Sequence, residues 1–268
     1  MRLGRIFRIL RLRSAFAVAA AGMAIVVGPV TTAAPAQAVT PDQAAKAVQV
    51  AYTVYKQFLG GGLSLSQATN QIINAIQEAK EEIIAELLKV TDTTVKACSR
   101  NAVNNLPTFP SRSADTKDAW AYDARHCVEL ARAAIENASY STNDQKAVID
   151  SFGFALNAAG PVALVESAAV NVAPATRDAI ITSLVAGNTK LAVSPNGGKL
   201  NPSCTATVLH EGNIPEEVIL TCWAFNGHMG RDFTYTNQQY NFDQAKREAA
   251  VNTAYNVAKN ALPVLNNM

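Results

Sequence analysis

The run from Phe152 to Val165 contains no charged residue. Such a segment has to leave water, for a protein core or for a membrane, and the rest of the chain must be arranged around it. It lies in the most apolar part of the chain, residues 143–186. It is shorter than the roughly 20 apolar residues of a membrane-spanning helix, which favours a core. Gly160-Pro161 interrupts it, so the pattern predicts two buried helices rather than one. Pro174 opens a further helix with Ala179, Ile180, Leu184 and Val185 inside, ending at Gly187.

The preceding chain also reads as helical. Thr40-Pro41-Asp42-Gln43 combines a capping threonine, a first-turn proline and a capping-box glutamine. Ala44, Val48, Ala51, Tyr55 and Phe58 follow at helical spacing until Gly60-Gly61-Gly62. Ser64-Leu65-Ser66-Gln67 is a second capping box and opens a long periodic stretch to about Asn104. Ile72, Ile76, Ala79 and Ile83, then Ile84, Leu88, Val95 and Cys98, form its apolar stripe, and the weak helix formers at 91–94 predict a bend or break. Pro107 and Pro110 mark a loop over 105–113. A third helix follows from about Ala114 to Ala138, with Trp120, Ala124, Cys127, Ala131, Ala134 and Ala138 on one stripe.

After Pro195-Asn196-Gly197-Gly198 the period changes from helical to two. Setting Cys204 opposite Cys222 places Ala206 against Leu220, Val208 against Val218 and His210 against Glu216, with Thr205, Thr207 and Thr221 on the other face. Asn226-Gly227 is hairpin chemistry of the type I′ kind. A two-residue turn there sets Phe233 against Leu220 and Tyr235 against Val218, on the cysteine face. Asn241 then caps a C-terminal helix with Ala250, Ala254, Val257 and Ala261 inside, widened by Val251 and Ala258.

Residues 1–38 have the form of a secretory signal. Arg2, Arg5, Arg8, Arg11 and Arg13 make a basic n-region, Ala15 to Val30 is apolar, and Ala36-Gln37-Ala38 is a small-residue cleavage site. Cleavage after Ala38 would start the mature chain at Val39. In composition this long arginine- and alanine-rich signal is similar to those of high-GC Gram-positive bacteria. Leu262-Pro263-Val264-Leu265 is too short for a second span, so the expected product is a released, extracellular protein. Removing the five arginines takes Lys plus Arg from 23 to 18 against 21 Asp plus Glu, and the formal charge from +2 to −3. A mildly acidic mature chain has no electrostatic footprint for nucleic acid. Charged residues make up 16% and hydrophobic ones 49%, which excludes a disordered chain.

All four cysteines, Cys98, Cys127, Cys204 and Cys222, lie in the exported part, so two disulfides are expected. Cys98 and Cys127 sit on the stripes of adjacent antiparallel helices, and Cys204 and Cys222 on facing strands. Local pairing therefore fits best.

Catalytic, cofactor and metal motifs are not evident. Gly60-Gly61-Gly62 lacks the preceding strand and following Lys-Ser/Thr of a phosphate loop and reads as a helix cap. His126 beside Cys127 does not make a thiol catalyst, because a disulfide leaves no thiolate. His210, Glu211, His228 and Asp232 have ligand-type side chains but no tight zinc spacing, and His210 with Glu216 reads as a cross-strand ion pair. Trp223, Phe225, His228, Met229 and Arg231 crowd the hairpin and form the candidate binding surface, unless Trp223 and Phe225 instead cover the end of the helical core.

The sequence thus predicts a mainly α protein of α+β type. Residues 39–190 form a helical bundle with a long helix hairpin, and residues 191–268 a small three-stranded antiparallel sheet plus a C-terminal helix packed on the same core. The expected role is non-enzymatic, binding or structural, toward an unidentified extracellular partner, without cofactor. A membrane-active protein is the less favoured alternative. It resembles, in architecture alone, helical pore-forming toxins that store an apolar hairpin in a soluble bundle. A hydrolase with an unfamiliar site is the second alternative.

Overall fold

The computed structural model describes residues 41–193, 197–209 and 217–268. The signal at 1–38, Thr40, Pro195 and Asn196, and the set His210, Glu211 and Glu216 lie outside them. The described residues form a mainly α fold with a small antiparallel sheet near the C-terminus, as the sequence predicts.

The apolar segment becomes the axis of the helical body. It is one helix, α6 (Asn143–Ala169), in which every residue from Ile149 through Ser167 is buried. Seven helices pack on it: α1 (Pro41–Leu59), α2 (Leu65–Glu78), α3 (Lys80–Leu88), α4 (Thr93–Asn105), α5 (Ala114–Asn137), α7 (Pro174–Ala192) and α9 (Ala254–Leu265). By length and composition α6 could cross a bilayer, but 94% of its apolar window is buried inside the protein.

The expected division of this segment at Gly160-Pro161 does not occur. Pro161 lies inside the helix, where its missing N–H removes only one rung. Gly160 is a site of close approach rather than a stop. A β-carbon there would lie 2.2 Å from the Tyr52 hydroxyl of α1 and 2.7 Å from a methyl of Leu184 in α7. Gly187 likewise does not end α7. A β-carbon there would meet Leu156 at 2.5 Å, so the glycine seats the leucine while the helix continues to Ala192.

The long stretch after Ser64 is three helices, not one with a single bend. Its capping box forms as predicted. The chain then breaks at Ala79 (φ −112°, ψ 18°), which carries no breaker signal. A second break falls over residues 89–92, where the Asp92 carboxylate accepts hydrogen bonds from the amides of Thr94 and Val95. The residues read as weak helix formers are thus the start of α4. A short 3-10 helix, Leu106–Ser111, links α4 to α5, and Ser113 caps α5. The Cys98–Cys127 disulfide joins α4 to α5.

The sheet has the order β1 (Ser203–Leu209), β2 (Glu217–Trp223), β3 (Met229–Tyr235). Between β1 and β2 the register is the predicted one, with Cys204 opposite and bonded to Cys222, Ala206 opposite Leu220 and Val208 opposite Val218. Between β2 and β3 it differs by one residue: Phe233 pairs with Ile219 and Tyr235 with Glu217. The reason is the turn. The Ala224 amide donates to the His228 carbonyl and the Gly227 amide to the Ala224 carbonyl, with Gly227 at φ 84°. That is a three-residue loop, Phe225-Asn226-Gly227, with the glycine in the left-handed position, rather than a two-residue turn. One extra loop residue turns every β3 side chain to the opposite face.

Phe233 and Tyr235 therefore point outward, 59% and 49% exposed, beside exposed Trp223 and Met229. Gly230 points inward instead, onto α8 (Asp243–Ala249), where a β-carbon would lie 2.1 Å from the Ala245 carbonyl oxygen. The expected single C-terminal helix is split between the two parts of the protein. α8 covers the sheet with Ala245 and Ala249, whereas α9 places Ala254, Val257, Ala258 and Ala261 in the helical core. Asp150 of α6 holds the start of α9 by accepting from the Ala254 amide at 2.7 Å. Buried Lys199, just before β1, donates to the carbonyls of Ile135, Glu136 and Ala138 at 2.7–3.0 Å. These are carbonyls at the end of α5 that no further turn would satisfy.

Candidate functional site

Helical spacing on two neighbouring helices builds a cavity between them. α4 contributes Thr94, Ala97, Cys98, Asn101, Ala102 and Asn105, all on one stripe. α5 contributes Trp120, Asp123, Ala124, His126, Cys127 and Leu130. The disulfide crosses between the two rows. The cavity measures about 460 Å³ and is open to solvent on one side. Asn101, Asp123 and His126 are exposed at its mouth, and Ala102, Ala124 and Cys127 are buried in its wall.

One residue of α6 also lines it: Glu166, 1% exposed. Neither of its carboxyl oxygens has a hydrogen-bond partner. Burial, with a smaller contribution from the negative charge of Asp123, pushes its pKa up to about 8. At neutral pH it is mainly an uncharged carboxylic acid. Among the described residues no hydrogen bond links Glu166, Asp123 and His126, and no cluster of His, Cys, Asp and Glu has the form of a metal site.

Beside Glu166 on α6 the buried Ser167 hydroxyl also lacks a partner, whereas the polar groups buried toward the middle and start of the helix are satisfied. Asn157 accepts from the Tyr52 hydroxyl, donates to the Gly153 carbonyl, and exchanges amide hydrogen bonds with Asn188 of α7 at 2.8 and 3.2 Å. Asn188 also donates to the Leu184 carbonyl. Asp150 has the Ala254 amide. Burial raises its pKa to about 8 as well, against the lowering effect of that hydrogen bond.

The five residues singled out at the hairpin do not share one surface. Trp223, Met229 and Arg231 lie on the outer face of the sheet, where Trp223 pairs with Met229 and Thr221 with Arg231. Phe225 packs against the helical core. His228 is exposed beside the loop, its amide bonded to the Asn226 side chain. Phe233 and Tyr235 join the outer face through the shifted register. Of the residues considered for zinc, Asp232 faces the covered side of the sheet opposite Leu220, and His228 lies beyond the strand end.

The sequence pattern puts four of the cavity residues, Cys98, Trp120, Ala124 and Cys127, on apolar stripes and marks none of the lining as a site. The cavity is the part of the groove between those stripes that the short alanines leave unfilled. Glu166 carried a sequence signal, an acid at the end of the most apolar run of the chain. Only the three-dimensional structure shows that it has no partner.

Compared with family models, curated proteins and solved structures, the chain matches none of them.

Proposed function

We propose that this is a secreted, disulfide-stapled binding protein, non-enzymatic, with its ligand site in the cavity between α4 and α5. The observation that carries the reading is Glu166, a buried acid with neither oxygen hydrogen-bonded, lining an open cavity. Buried polar groups in a folded protein nearly always have partners, and an exception beside a cavity marks a place where a ligand supplies them. The cavity volume is in the range of small-molecule sites. The disulfide fixes the two helices that form its walls, which keeps the site preformed.

A hydrolytic second reading draws on the same three side chains, because a carboxylic acid with a raised pKa is a common general acid. Binding is favoured because the acid is hydrogen-bonded to neither His126 nor Asp123, and both cavity cysteines are committed to the disulfide.

Three experiments test the proposal. N-terminal sequencing of protein recovered from culture medium should begin at Val39, and a retained arginine-rich start would contradict release. A fragment screen followed by backbone NMR should give shifts that cluster at Ala97, Asn101, Asp123 and Ala124. Shifts confined to Phe233, Tyr235 and Trp223 would move the site to the sheet. Turnover of ester, peptide or glycoside probes that is lost in Glu166→Gln would promote the hydrolase.

A further inference from the structure

We infer that the cavity over Glu166 receives a small organic cation, a protonated amine carried on an apolar body. The inference rests on the cavity being the binding site and names the chemistry of its ligand.

The charge of the lining favours a cation. Two carboxyl groups, Asp123 and Glu166, line the cavity, and no lysine or arginine does. His126 is the only other titratable lining group. α4 contributes none, since Cys98 is spent in the disulfide. An anionic ligand would meet the Asp123 carboxylate at the mouth, with no lysine or arginine in the lining to offset it.

Hydrogen bonding, shape and polarity favour the same ligand. Glu166 lacks donors on both oxygens, and an ammonium group carries three donors and the matching charge. Ala97, Ala102, Ala124, Leu130, the Trp120 ring and the disulfide offer apolar wall, while the Asn101 and Asn105 amides can orient a polar substituent. A divalent metal is a poorer occupant, because no three ligand-type side chains converge among the described residues.

The proton balance follows from the state of the empty site. Glu166 holds its proton near neutral pH, and the amine arrives already protonated. Formation of the carboxylate–ammonium pair therefore sends the carboxyl proton to solvent. Affinity should rise with pH, by up to about tenfold per unit between roughly pH 6 and 8, and level off above.

The test is calorimetric titration of the mature, disulfide-intact protein with benzylammonium chloride, benzyl alcohol and sodium benzoate. Each is run in two buffers of different ionisation enthalpy. Benzylammonium should bind with proton release, and benzyl alcohol and benzoate should bind at least tenfold more weakly. Glu166→Gln, nearly isosteric, should abolish the proton release and weaken benzylammonium at least tenfold, with its own melting curve as the folding control. Asp123→Asn should weaken it by a smaller factor. If benzyl alcohol or benzoate binds as well as the amine, with NMR shifts at the cavity, the cationic ligand is overturned while the cavity survives as a site. If none of the three shifts any cavity resonance at millimolar concentration, both the cation and the cavity reading fall.

Discussion

The middle and the C-terminal end of α6 are equally buried yet treat their polar side chains in opposite ways. Around Asn157 every hydrogen-bonding group is used, by Tyr52, Gly153, Asn188 and Leu184. Nine residues further on, Glu166 has no partner for either oxygen. A satisfied buried amide adds rigidity and fixes how α1, α6 and α7 meet. An unsatisfied buried acid weakens the fold and has to be maintained by the rest of it. The first pattern is structural and the second is that of a site, so substitutions in the two places should differ in sign.

The largest effect is expected at the centre. Leu156 is fully buried and seated on Gly187. Leu156→Asp places an unpaired charge there and should cost several kcal/mol, about 4 or more, read as early melting in a thermal scan. Dye-loaded vesicles should stay intact with the wild-type protein. Leakage at sub-micromolar concentration would contradict α6 as a core helix.

The next is Asn157→Ala. It leaves the Asn188 side-chain oxygen and the Tyr52 hydroxyl without partners, the Asn188 amide keeping the Leu184 carbonyl, and should cost about 3 kcal/mol by denaturant titration. The double variant Asn157→Leu with Asn188→Leu should recover part of that loss, since both partners are then replaced by apolar groups.

At the other end the sign should reverse. The pKa of Glu166 is raised, so the folded state holds a proton that the unfolded state releases above its ordinary range. Stability is therefore greatest below about pH 4.5 as far as this group is concerned. It declines as pH rises toward about 8, by up to about 1.4 kcal/mol per unit. Glu166→Gln removes this dependence. The variant should match wild type near pH 5 and exceed it by about 2.5 kcal/mol at pH 7. Asp150, raised for the same reason, leaves a residual slope that Asp150→Asn should flatten further.

These contrasts were only partly legible in the sequence. The α4–α5 hairpin, both disulfides and the β1–β2 register follow from side-chain period and the spacing of the cysteines, because each is a local pattern. The misread features depend on neighbours distant in the chain. Gly160-Pro161 reads as a breaker until Tyr52 and Leu184 are seen pressing on the glycine. Asn226-Gly227 reads as a two-residue turn, and a single further loop residue, Phe225, decides which face Phe233 and Tyr235 occupy. Glu166 could be noticed in the sequence, but the lack of a partner is a property of three helices at once.

The smallest effect tests that corrected register. Phe233→Ser removes a side chain from the outer face and should change stability by no more than about 0.5 kcal/mol. In the two-residue register Phe233 would be buried against Leu220, and the loss would be several-fold larger.

The central claim is that Glu166 lines the cavity as an unpartnered, protonated acid. Carbon-detected NMR titration of the side-chain carboxyls, with Glu166→Gln to assign the resonance, measures this directly. The account predicts that Glu166 is still protonated at pH 6 and titrates near pH 8. A carboxylate already ionised at pH 6 would contradict it, and with it the proposed release of a proton when a cation binds.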